Sequence, residues 1–135
     1  PVSLASRSIL TTPALFAAAY DSRIRSLLMS GGLISFNNLL QSEDFLAGGY
    51  FPPPAEQSQD VFGSFLPGIL KQTDLPQIVA SIAPRRTMIS PRNAMGKPME
   101  QAATQAEYQG ISNIEILTGN DWDTASFRKL LGAAS

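Results

Sequence analysis

The sequence predicts an α/β domain: a mainly parallel sheet of about four strands with flanking helices. Three observations predict it. Short apolar runs recur along the chain, and the best of them is continuous rather than alternating, which suits a strand buried on both faces. Between these runs lie segments whose apolar residues recur at helical spacing. Helix-start residues precede those segments, and glycine or proline closes them. The 135 residues suit a single domain spanning 1–135, with a proline-rich surface loop at about 48–59.

The elements follow in order. Val2 and Leu4 in PVSLAS read as a first strand. In TTPALFAAAYDS, Thr12 is a good N-cap and Pro13 suits the first helical position, with Leu15, Phe16, Ala19 and Tyr20 as the apolar stripe. Leu27, Leu28 and Met29 form a continuous run closed by Gly31-Gly32, a second strand. Strand, helix, strand is a βαβ unit with an expected right-handed crossover. The segment GGYFPPPAEQSQ, with three consecutive prolines, favours polyproline II and forbids helix. Asp74 then caps LPQIVASIA, where Leu75, Ile78, Val79 and Ile82 share one helical face and Pro84 stops the helix. Thr87 to Ser90 reads as a strand ended by Pro91. Lys97-Pro98 opens a helix running to about Gln109, stopped by Gly110. Asn113 to Thr118 is the last strand, and Asp123 caps a final helix carrying Phe127, Leu130 and Leu131.

Composition excludes several classes of function. Ten basic residues stand against eleven acidic ones, so no strong field points at nucleic acid. No apolar run approaches the roughly 20 residues that span a bilayer, so no membrane span is expected. Cysteine is absent, which removes disulfides, thiol nucleophiles and Cys-type zinc sites. Histidine is absent too. The commonest metal ligand and the commonest catalytic base are therefore missing, and no cofactor or metal is expected.

Three passages carry a resemblance to a known family. They are ASRSILTTPALFAAAYDSRIRSLLMSGGLISF at 5–36, GILKQTDLPQIVASIAPRRTMISPRNAMGKPM at 68–99, and TGNDWD at 118–123. Their order and spacing resemble the C-terminal half of an α/β-hydrolase, more narrowly the bacterial acetyl-esterase and acetyl-xylan-esterase relatives. That resemblance implies a serine on a sharp strand-to-helix elbow, an acid on a later strand tip and a histidine on the last turn. The elbow's G-x-S-x-G falls on Ser6-Arg7-Ser8-Ile9-Leu10, so Ser8 keeps the nucleophile's residue type while both glycines are replaced. Leu10 is expected to crowd the close approach of strand and helix that glycine permits. The acid's place falls near Asn93 and the histidine's at Asn120. Both are neutral amides that cannot take the serine's proton near pH 7, and an unassisted serine hydroxyl is a poor nucleophile.

The expectation is a catalytically silent α/β-hydrolase-like module with a structural or binding role in a larger esterase-like protein. A first strand with nothing before it to pair with implies a partner. It would be a missing N-terminal half, another chain or a second copy, covering the sheet edge before residue 2. A second reading is a serine esterase acting on acetyl esters, with Ser8 as nucleophile and its base supplied from elsewhere. A third is a carbohydrate-binding module using Phe45, Tyr50, Phe51, Phe62 and Phe65 around the proline loop, with Trp122. Arg85, Arg86, Arg92 and Lys97 form the densest basic segment and could hold a carboxylate or sugar phosphate; the alternative is that Arg85 pairs with an acidic neighbour and the others are solvated. Asp121 and Asp123, flanking Trp122, suggest a carboxylate pair, and together with Glu115 a calcium site, but Asp123 also suits a helix cap.

Overall fold

A computed structural model describes residues 2–42 and 66–132. The proline-rich loop and the aromatics Phe45, Tyr50, Phe51, Phe62 and Phe65 lie outside the described residues. The elements are β1 (Val2–Arg7), α1 (Thr11–Tyr20), β2 (Ile24–Leu33), α2 (Phe36–Leu40), α3 (Leu75–Ser81), β3 (Arg86–Arg92), α4 (Gln101–Glu107), β4 (Ile114–Ile116) and α5 (Thr124–Gly132). The strands form one four-stranded sheet in the order β1-β2-β3-β4, and every pairing is parallel. The α/β class is therefore as the sequence predicts. Among the described residues no helix is long and apolar enough to cross a membrane.

Register assigns each side chain to a face, because cross-strand partners point the same way. Leu4, Leu27, Thr87 and Ile114 make one row, and Ser6, Met29, Ile89 and Ile116 the next. This face packs on α1 and α3 through Leu15, Ala18, Ile78 and Val79 in the large core cluster. The opposite face carries the row Ala5, Leu28, Met88 and Glu115. It is covered by α5, whose Leu130 packs with Leu28 and Met88 in a much smaller cluster. Continuous apolarity at Leu27-Leu28-Met29 follows directly, since both faces of β2 are buried.

Several boundaries differ from expectation, each for a local reason. α1 begins at Thr11 with Leu10 in the N-cap position, so Thr12 is inside the helix and Pro13 is its third residue. Proline costs nothing there, because the first N–H groups of a helix have no internal partner. The Thr11 hydroxyl instead donates to the Ser8 carbonyl at 2.8 Å. Leu10 does not crowd the strand–helix approach: it is 61% exposed. The close approach falls at Gly32, where a Cβ would come within 2.0 Å of Thr11 Oγ1. β3 does not end at Pro91 but continues to Arg92. The register with β2 shifts between Ser30 and Leu33, leaving Pro91 without a ladder partner there.

Lys97-Pro98 does not open a helix. The Asn93 side chain accepts from the backbone N–H groups of Met95 and Lys97, closing a turn, and Pro98 bridges back to Arg92. α4 starts only at Gln101. β4 is shorter than 113–118, although ladder bonds flank it at Thr87 N to Asn113 O and Leu117 N to Ile89 O, both 2.8 Å. The Asp74 cap is as expected and does more than cap. It forms a capping box with Gln77, and its buried carboxylate also accepts from the N–H groups of Phe36 and Asn37 at 2.8 and 2.9 Å. One side chain thus joins the starts of α2 and α3.

Candidate functional site

In an open parallel sheet, ligand chemistry gathers at the carboxyl ends of the strands, where the loops leave the sheet. Ser8 follows β1, Asn93 follows β3 and Asn120 follows β4, so the fold places all three at that end. Ser8 has φ +56°, the only non-glycine residue with positive φ among the described residues. A side chain in the left-handed region is strained, by about 1–3 kcal/mol. The strain sits at the turn that takes β1 into α1, and the Thr11–Ser8 hydrogen bond fastens that turn. The Ser8 hydroxyl itself has no hydrogen-bond partner among the described residues.

The two asparagines face inward on their own loops. Asn93 Oδ1 accepts from Met95 and Lys97 at 2.9 and 3.0 Å. Asn120 Oδ1 accepts from the Trp122 N–H at 3.3 Å. Each amide serves as a turn-former. A neutral amide in such a turn has no proton-accepting role at pH 7.

Beside these turns lies a cleft of about 210 Å³. Its polar lining includes Arg7, Ser30, Arg92, Gln101, Thr118 and Asp121. Register explains the grouping: Arg7, Ser30 and Ser90 are successive cross-strand partners on the α5 face, two residues beyond the Ala5–Leu28–Met88 row. Trp122 stands at the border, its ring edge-on to Phe127 at 5.0 Å and the Arg7 guanidinium 6.0 Å from its centroid. Trp122 thus lies near the cleft, and packs against the smaller core.

Arg85 and Arg86 sit at the opposite end of β3 from Asn93. Among the described residues Arg85 has no acidic partner within 4.0 Å; its guanidinium donates to the carbonyls of Ile82, Ala18, Asp21 and Ile24. Arg86 pairs with Glu115, which also holds Lys129. Arg92 donates to the Gly96 carbonyl at 2.6 Å. Asp123 caps α5 through the Ser126 N–H at 2.8 Å, and that contact with Ser126 holds its carboxyl below the usual range. Glu115, Asp121 and Asp123 therefore have separate surroundings, and among the described residues no group of three or more His, Cys, Asp or Glu could hold a metal ion.

Sequence reasoning passed over Arg7 and Ser30. The signal was present: Arg7 immediately precedes the elbow serine, and Ser30 immediately precedes the Gly-Gly that ends β2. Compared with known proteins, the chain matches no family model, no curated protein and no solved structure.

Proposed function

We propose that this chain is an α/β-hydrolase-like module whose hydrolytic chemistry has lapsed and whose role is architectural or in binding. The observation that carries the reading is Ser8. It keeps a left-handed φ on a strand-to-helix turn, the strained geometry that an esterase elbow uses to expose its nucleophile. The partners that such a serine needs are absent. Asn93 and Asn120 are spent on their own turns, and the chain has no histidine. Strain retained without a base supports descent from an active site, with the catalytic use gone.

The sheet edges support an architectural role. β4 is three residues long, and Glu115 on it is held by Arg86 and Lys129, the short and charged form of a protected edge. β1 is twice as long, has a single charge in Arg7, and pairs only with β2 among the described residues. A strand supplied by another part of the protein, another chain or a second copy would complete the sheet there.

The test is hydrolysis of an activated acetate ester by the purified chain and its Ser8→Ala variant. No turnover above buffer is expected from either. Turnover that disappears in Ser8→Ala would establish the esterase reading instead, with a base that this chain does not contain.

A further inference from the structure

We infer that the cleft at the carboxyl ends of the strands binds a small hydroxylated anion, a hydroxy acid or its phosphate counterpart. This deepens the binding half of the reading above and needs no catalysis. Three features of the lining carry it, none involving Ser8 or the two asparagines.

The first is charge. The lining contains two guanidiniums, Arg7 and Arg92, against one carboxylate, Asp121, in a chain whose net charge is −1. Among the described residues neither guanidinium has a carboxylate within 4.0 Å, whereas Arg23 and Arg86 each do. Arg92 uses one N–H on the Gly96 carbonyl, and a guanidinium has four more. Planar donors of this kind suit carboxylate or phosphate oxygens.

The second is unmet hydrogen bonding. Ser30 lines the cleft, and its hydroxyl is held by no described residue and is not sealed from solvent. Asp121 lines the same cleft; its Oδ2 is sealed from solvent without a partner, and a carboxylate can only accept. An anion alone would leave Asp121 unsatisfied. A ligand that also carries hydroxyl groups supplies the missing donor, while Ser30, Ser90 and Thr118 complete a lining of hydroxyls.

The third is size. A water molecule's share of the liquid is about 30 Å³, so the cleft holds the equivalent of about seven waters. That admits a three-carbon hydroxy acid and excludes an oligosaccharide or a peptide from full enclosure.

Trp122 is the chain's one tryptophan, and Arg7 lies over it, so its fluorescence reports on the cleft. The experiment titrates the chain with D-glycerate, glycerol 3-phosphate, propionate and glycerol, following Trp122 emission and, separately, heat by calorimetry. A saturable response to D-glycerate or glycerol 3-phosphate, with glycerol silent, supports the site; the stronger of the two anions identifies a carboxylate or a phosphate head. Arg7→Gln, at an exposed position, should weaken that anion roughly ten- to a hundredfold. Calorimetry is needed for this variant because it alters the tryptophan's own surroundings. Asp121→Ala should weaken D-glycerate and leave propionate no weaker. Absence of saturable binding by both hydroxylated anions, an equal response to glycerol, or affinities indifferent to both substitutions would overturn the assignment. None of those results bears on the ester assay, so the two proposals fail separately.

Discussion

The two ends of the sheet are built differently. At the amino ends of the strands most of the charged side chains are partnered, Arg25 excepted among the described residues. Arg85 gathers four backbone carbonyls, Arg86 and Lys129 share Glu115, and Asp21 grips Arg23. The leftover polar atoms there, the Thr87 hydroxyl and Asn113 Oδ1, are neutral. At the carboxyl ends the pattern reverses. Ser8 is strained, Arg7 has no carboxylate within 4.0 Å among the described residues, and Asp121 Oδ2 has no hydrogen-bond partner. One end spends its polar groups on stability, and the other keeps them available. That division is expected of a fold in which loops at the carboxyl ends bear the function.

Removing the organising cation of the amino end should produce the largest effect. Arg85 Nη1 ties the end of α1 and the start of β2 to the turn after α3. Arg85→Met keeps much of the side-chain volume and deletes every donor. Three or four half-buried carbonyls then lose a charged partner, at a cost of about 2–4 kcal/mol. Denaturant unfolding should show a lower midpoint with little change in slope. Binding in the cleft should be unaffected in whatever protein remains folded. A loss below 0.5 kcal/mol would mean that the carbonyls find water as readily as Arg85.

An opposite sign is expected at the other end. Ser8→Gly removes a Cβ from the left-handed region, where glycine is at ease. Relief of the strain outweighs the extra freedom of glycine in the unfolded chain, for a net gain of about 0.5–1 kcal/mol. Thermal unfolding should move upward. A stabilising change at Ser8 and a destabilising one at Arg85 would together establish that strain is confined to the carboxyl end.

How much of this was legible in the residues depends on how far each contact reaches along the chain. β2 was readable because burial on both faces leaves a continuous apolar run at 27–29. The Asp74 and Asp123 caps were readable because their partners lie within three residues. The role of Arg85 was not, because its acceptors Ala18, Asp21 and Ile24 lie more than 60 positions away. The cleft was hidden for a related reason. Ser30 is a plain strand serine until register with Arg7 and Ser90 sets it on the α5 face beyond the last apolar row. The resemblance makes Asn93 only a vacant catalytic position, and its service to the turn at Met95 and Lys97 depends on loop geometry that residue types do not specify.

The smallest expected effect is electrostatic and belongs to the amino end. Asp21 accepts from both the side chain and the backbone N–H of Arg23, and this pairing pulls its carboxyl from 3.8 to about 2. A carboxyl depressed on folding stabilises the native state at pH values above its unfolded pKa. That contribution fades as pH falls through the interval between the two values. The parent and Asp21→Asn should therefore differ in unfolding temperature near neutrality and converge as pH drops from about 4 toward 2. The pair is solvent-exposed, so the difference should be slight and should shrink in high salt. A gap that persists at pH 2, or that salt leaves untouched, would show that Asp21 acts through its hydrogen bonds to the turn rather than through its charge.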